Sequence, residues 1–287
     1  MIYAFIEIHT EYPVTKWAKY FEVSTSGYYS WLRKRDKRGL LEEKYAAEIE
    51  HIFMESRRTY GVERISAELR RRGHSASFRK VKRIMRERDL RSVHVRKFKP
   101  LTDSRKARGD GFPNLLHGRK VTKPFEALSS DISYIQTSEG FDYLCQIRDI
   151  SSGVILASQQ HSRMTKELVL ATIRAAHKRW RLPKGSIFHS DRGSQYTSND
   201  VMSLLSHLGV RQSFSRVGMP GDNSWSESFF SILKKEAVYP YRFSSRESAR
   251  QAIFSYIETF YNRVRIQKNL GWYSPLQWLD LARSHAA

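Results

Sequence analysis

Apolar side chains recur along this chain with two different periods, and the period changes near residue 125. Before that point the spacing is helical. Val14 to Phe21 predicts a helix, Glu22-Val23-Ser24 a turn, and Ser26 to Arg33, with Tyr28, Tyr29 and Trp31, a second helix. That is the pattern of a helix-turn-helix, although a plain helical hairpin shares it. Lys34-Arg35-Asp36-Lys37-Arg38 reads as a charged linker. Residues 41–56 predict an amphipathic helix with Ile49, Ile52 and Phe53 on one face, broken at Tyr60-Gly61. Glu63 to Arg72 turns Ile65 and Leu69 inward and Arg64, Arg70, Arg71 and Arg72 outward. Ser77 can cap a third helix running to about Arg88, with Val81, Ile84 and Met85 inward. These three helices suggest another helix-turn-helix, the plain alternative being a solvated charged face.

Residues 91–123 are basic, aperiodic and broken by Pro100, Gly109, Gly111 and Pro113. They read as a linker able to lie along a DNA backbone. Beyond them the pattern shortens to that of strands. Ala127 to Gln136, Tyr143 to Ile150, Gly153 to Gln160, Ser186 to His189 and Val210 to Phe214 predict five. Helices fall between and after them: Thr165 to Trp180, capped by Thr165, then Asn199 to Leu208, Asn223 to Ala237 and Ser245 to Arg263. Three strands, then helix, strand, helix, strand and helices, is the order of an RNase H-like α/β core. The expected organisation is a helix-turn-helix-like segment at 1–33, a second helix-turn-helix at 41–90, a basic linker at 91–123 and the α/β core at 124–287.

Charge narrows the partners. The 287 residues carry 50 Lys+Arg against 29 Asp+Glu, a formal +21. Such an excess repels itself unless a polyanion supplies the missing charge, and nucleic acid is the first candidate. No run of about 18 apolar residues and no basic amphipathic anchor points to a membrane. The single Cys145 excludes an internal disulfide framework and a cysteine-based zinc site. Met1 to Glu7 is apolar but has no basic leader, so no signal peptide is expected and a reduced, cytoplasmic setting is.

Three acids then stand out. Asp131 lies inside the first predicted strand, where aspartate is disfavoured. Asp191 lies just past the fourth strand, in His189-Ser190-Asp191-Arg192-Gly193-Ser194-Gln195-Tyr196. Glu227 lies on the helix that opens near Asp222-Asn223, with 35 residues between it and Asp191. Each alone has an ordinary reading: a strand-end acid, a turn acid, a first-turn glutamate. In an RNase H-like sheet strands one and four are neighbours, so the three would converge. Phosphodiester cleavage by in-line displacement wants that: carboxylates holding two Mg²⁺ ions that activate the attacking oxygen and neutralise the leaving one. Lys234, two turns after Glu227, could touch a phosphate; Asn223 could order the helix start or touch DNA. His189 reads as a packing or hydrogen-bonding residue rather than a metal ligand. Trp225 and Tyr196 could stack on a base, core packing being the stronger reading.

At these residues the chain closely resembles insertion-sequence transposases with a retroviral-integrase-like core, of the second-reading-frame (OrfB) type. The resemblance rests on Asp131-Ile132-Ser133-Tyr134, the His189–Tyr196 run, Ser213-Phe214-Ser215-Arg216, Asp222-Asn223, Glu227-Ser228-Phe229-Phe230 with Leu233-Lys234, Tyr261-Asn262 with Arg265, and Leu270-Gly271 with Ser274-Pro275. Upstream, Ser26-Gly27-Tyr28-Tyr29 and the stretch from Ser56-Arg57 to Gly73 match that family's helix-turn-helix. Three positions depart from the common pattern: Leu128 for Trp, Ser224 for Ala and Gln267 for His. None is one of the three acids.

The resemblance implies a DDE transposase with Asp131, Asp191 and Glu227 as catalytic and metal-holding residues, with Mg²⁺ as the metal and Mn²⁺ as a possible substitute. It implies donor-strand cleavage and attack of the freed 3′-hydroxyl on another phosphodiester. Expected DNA contacts are Lys234, Asn223, Arg192, Arg265, Arg70, Arg71, Arg79 and Lys82. Expected partners are double-stranded DNA, a first-frame protein or fusion, and further copies of the chain on DNA, near the nucleoid. The alternative is a catalytically silent DNA-binding regulator derived from such an enzyme.

Overall fold

The computed structural model describes residues 1–75, 77–93, 113–217 and 219–284. Most of the linker expected over 91–123 lies outside them. The chain forms two compact units, Met1–Arg91 and Ser92–Ala287.

The first unit is all helical: α1 (Ile2–Ile8), α2 (Val14–Tyr20), α3 (Thr25–Glu55), α4 (Val62–Arg71) and α5 (Phe78–Glu87). Ser24 starts α3 by accepting the Gly27 N–H at 3.0 Å. Ser77 starts α5 the same way, from Lys80 N–H. The expected break at residues 34–38 is absent: α3 runs through it for 31 residues. Lysine and arginine are good helix formers, and Asp36 and Gly39, the two weaker ones here, do not break the run. The far half of α3 is then fixed by packing. Ile49, Ile52 and Phe53 bury against Ile65, Leu69, Val81, Ile84 and Met85. Around that core the α3 acids pair with arginines of α4 and α5: Glu48 and Glu55 with Arg72, Glu42 with Arg83, Glu43 and Glu50 with Arg88. Arg71 pairs with Glu68, and Arg70 donates to the Ser66 carbonyl. Arg79, Lys82 and Arg86 are left exposed on α5.

The second unit is a five-stranded sheet with helices. Its strands are β1 (Ala127–Thr137), β2 (Gly140–Asp149), β3 (Ile155–His161), β4 (Ile187–Ser190) and β5 (Arg211–Phe214), in spatial order β3-β2-β1-β4-β5. The first three are antiparallel; β4 and β5 run parallel to β1. The core holds Leu128, Cys145, Ile147, Leu156, Val169, Ile173, Phe188 and Phe214. Helix α6 (Lys166–Trp180) and α7 (Asn199–His207) connect strands as expected. Thr165 stands at the α6 N-cap, but its side chain accepts no backbone N–H there. Helices α8 (Ser224–Leu233) and α9 (Arg246–Ser255) each continue into a π-helical turn, Lys234–Val238 and Tyr256–Tyr261. The apolar pattern did not predict α10 (Pro275–Ser284), which buries Leu279 in the core.

Candidate active site

The β1–β4 ladder is short, ending at Ser129 opposite His189. Extending that register by two residues brings Asp131 level with Asp191, where β4 has ended and the β1 edge is open. Asp131 is still paired on its other side, to Gln146 of β2. Its carboxylate accepts the Ile132 N–H at 2.8 Å. Burial pushes its pKa up to about 8; the Asp191 charge adds to this, Glu227 adds less, and Lys234 opposes.

The loop after β4 folds back on Asp191, whose Oδ1 accepts the Gly193 N–H at 3.0 Å. A Cβ on Gly193 would stand 3.0 Å from that same oxygen. Dense surroundings push the Asp191 pKa up against the Gly193 hydrogen bond, although the side chain keeps an open side to solvent. Arg192 donates to the Ser215 carbonyl at 2.9 Å, joining this loop to the end of β5.

Glu227 rides the first turn of α8, and three buried polar groups fasten that turn to the sheet. Gln146 donates to Ser226 Oγ at 3.0 Å, Arg148 to the Trp225 carbonyl at 2.6 Å, and Asn223 to the Ser130 carbonyl at 3.3 Å. Just before the turn, Asp222 accepts from Arg216 and Asn114, and Arg216 holds its pKa down to about 2. Glu227 itself is exposed, and desolvation lifts its pKa. Lys234 begins the π-turn with Nζ 4.7 Å from the Tyr134 ring centroid. Desolvation lowers its pKa while Asp131 raises it.

Of the other expected residues, His189 is buried and engaged through both ring nitrogens, with Ser213 at 2.9 Å and Ser215 at 3.2 Å. Burial holds its pKa down to about 4, so the ring is neutral. Tyr196 is core, its hydroxyl 3.0 Å from Ser130 Oγ. Trp225 packs beside Ala127, Ile150 and Ile187. Two expected DNA contacts do not reach the surface. Arg265 is 2% exposed and forms two hydrogen bonds to Glu236, at 2.7 and 2.8 Å. Asn223 is 5% exposed, beneath α8. Charge and position in a motif suggested both; their buried partners lie far off in sequence. Gln146 and Arg148 were missed, though the hairpin register would have set Gln146 opposite Asp131.

Three acids with raised pKa values, one sensing the other two, make a region short of positive charge. Carboxylate oxygens are hard donors suited to a divalent cation. Among the described residues no three acid, imidazole or thiol side chains are closed into a metal cage. The donors fit a divalent metal by their chemistry, and the influence of both Asp191 and Glu227 on Asp131 puts the three in one neighbourhood.

Comparison with known proteins identifies the domains. Residues 121–220 match the integrase core domain, residues 227–280 match a second integrase core domain family, and residues 41–98 match an HTH-like domain. The chain is 36% identical over 269 residues to the insertion element IS600 uncharacterized 31 kDa protein of Shigella sonnei, covering 93% of this chain and 98% of that one. It is 33% identical over 286 residues to transposase InsF for insertion sequence IS3A of Escherichia coli K12, covering 97% and 98%. Among solved structures, the simian T-cell lymphotropic virus intasome in complex with PP2A regulatory subunit B56 gamma aligns with a TM-score of 0.49 at 17% identity, over 72% of this chain and 68% of that one.

Proposed function

The chain belongs to the IS3-type family of insertion-sequence transposases with an integrase core, and we propose that Asp131, Asp191 and Glu227 are the residues through which it cuts and joins DNA strands. The observation that supports this reading best is the β1–β4 register, which brings Asp131 level with Asp191, with the turn of α8 that carries Glu227 fastened to β1 and β2 beside them. An integrase-type core works with a divalent metal, and Mg²⁺ is the one we assign here, with Mn²⁺ as a substitute. When bound, the metal supplies charge that activates the attacking oxygen and neutralises the leaving one.

The chain's own residues do the positioning. Asp131 and Asp191 would hold the metal from the sheet, and Glu227 from the helix. Asn223, Gln146 and Arg148 fix where the first turn of α8 stands, so Glu227 approaches from a constant direction. Lys234 places a positive charge beside Asp131, where a non-bridging phosphate oxygen can meet it. His189 holds the ends of β4 and β5 together through both ring nitrogens.

DNA binding follows from the integrase and HTH-like domains. Among the described residues no helix is long and apolar enough to cross a membrane. We place the chain in the cytoplasm at the nucleoid, working in more than one copy and with a first-frame protein or as a fusion to it. The test is cleavage and joining of a labelled duplex carrying the parent element's terminal repeat, with Mg²⁺. Wild-type activity that falls to background in Glu227→Gln, with DNA affinity retained, is expected. A Glu227→Gln protein as active as wild type would remove the assignment. If the chain alone is inactive, the fused product is the form to assay, and the same mutant comparison decides.

A further inference from the structure

A cleft of about 410 Å³ opens between the end of α6 and α10, away from the three acids. Its walls carry Arg179, Trp180, Arg263 and Arg283, with Asp280 the acid among them. Trp180 is the fixed element: its indole N–H donates to the Leu156 carbonyl at 3.0 Å, and its ring lies 5.8 Å from that of Phe125. Arg283 stacks over both rings, 5.2 Å from Phe125 and 5.8 Å from Trp180. No carboxylate among the described residues pairs with it. Arg179 and Arg263 share Glu258, the first through its carboxylate at 2.9 Å and the second through its carbonyl at 3.0 Å. One glutamate thus aligns two guanidinium groups along one wall. The basic surface continues past the cleft through Lys178, Arg181 and Lys184, all exposed.

We propose that this cleft is a second nucleic-acid contact, which takes the phosphodiester backbone of duplex DNA away from the reacting strand. Arginine is the side chain best matched to phosphate oxygens, and stacking on aromatic rings holds its plane ready at little entropic cost. With Arg179 paired to Glu258, Arg263 and Arg283 face the cleft against Asp280, and the exposed cations beyond it continue the positive surface, which fits an extended polyanion better than a small ligand. The cleft lies at the sheet end where β1 begins. The strand from Ala127 to Asp131 alone spans about 13 Å, so a duplex must extend several base pairs past the reacting phosphate to reach it. This proposal rests on the reading of the chain as a DNA-acting enzyme.

The experiment uses the full chain and a 30-base-pair duplex of arbitrary sequence. Affinity is measured across a salt series for wild type and for Arg263→Glu/Arg283→Glu, with thermal melting to show that both fold. The variant is expected to bind at least ~10-fold more weakly, with a salt slope smaller by roughly two. A second measurement makes the effect local. Gln277→Cys, with Cys145 buried and unreactive, carries a photo-crosslinker at the cleft and is expected to label the duplex. Adding the two glutamate substitutions should remove that labelling. Unchanged affinity and slope in the folded double variant would overturn the proposal. So would crosslinks that join two protein chains instead of protein to DNA, since a second copy would then be the occupant. A wild type that binds no duplex would sink the DNA-enzyme reading as well; a wild type that binds, with an indifferent double variant, sinks only this cleft.

Discussion

Asp131 and Arg265 are both enclosed charged groups, and they predict opposite behaviour. Asp131 has Lys234 near it but makes no ion pair among the described residues, and its pKa is lifted to about 8. A carboxyl with a raised pKa holds its proton more tightly in the folded state than in the unfolded chain. Its contribution is therefore most favourable below the unfolded value of about 4 and is lost as pH rises toward 8. Asp131→Asn removes that loss. In EDTA at pH 8 the variant should melt above wild type by ~2–4 °C, which is what one kcal/mol gives in a domain of this size. The difference should vanish near pH 4, and Mg²⁺ should raise the wild-type melting temperature more than the variant's. A variant that melts below wild type at pH 8 would show that Asp131 is not strained by its neighbours. Arg265 is buried with its partner Glu236, which also accepts from the Tyr256 hydroxyl at 2.7 Å. Arg265→Ala leaves that carboxylate uncompensated and should cost ~3–5 kcal/mol of stability. The loss shows in denaturant melts, whereas DNA affinity per folded molecule should not change.

At the scale of elements, the continuous α3 gives the sharpest check. A Cβ on Gly39 would meet nothing within 4 Å, and the residue sits mid-helix. Gly39→Ala should therefore stabilise the first unit by ~0.5–1 kcal/mol, and Gly39→Pro should destabilise it by ~3 kcal/mol. Were residues 34–38 a flexible linker, neither substitution would move the denaturation midpoint. The start of α8 gives a second check. Asn223→Ala frees the helix turn from the Ser130 carbonyl, so joining at saturating DNA should slow ~10-fold while affinity holds. A change in affinity alone would mean that Asn223 touches DNA after all. Although Ser24, read as part of a turn, is instead the cap of α3, elements with a strong local signal were legible in the sequence: Ser77 as a helix start, the strand pattern of β1, and strand order as the means by which Asp131 comes level with Asp191. Long-range pairing was not. A charged run looks the same in a linker and in a solvated helix, and only the packing of Ile49, Ile52 and Phe53 settles it for α3. Arg265 looks like a surface cation until Glu236, 29 residues earlier, is found beneath the same surface.

For the whole molecule, the +21 charge sets how binding must respond to salt. The internal pairing of Arg72, Arg83 and Arg88 with α3 means that the first unit does not offer all its arginines to a partner. Arg79, Lys82 and Arg86 on α5 remain exposed, spaced to share one helical face. If they lie against phosphates, each contributes about one unit to the slope of log affinity against log salt. Wild type should lose ~10³–10⁵ in affinity between 50 and 200 mM salt, the range for 6–10 phosphate contacts. Arg79→Ala and Lys82→Ala should each lower the slope by roughly one, equally for any sequence. Arg83→Ala should not lower it, because that guanidinium is already spent on Glu42 and Glu87; its cost should appear in melting instead. A flat salt response in wild type would mean that the excess charge has some other counterpart than a nucleic-acid backbone. An Arg83 variant with the same slope loss as Arg79 would mean that the α3 pairs open when DNA binds.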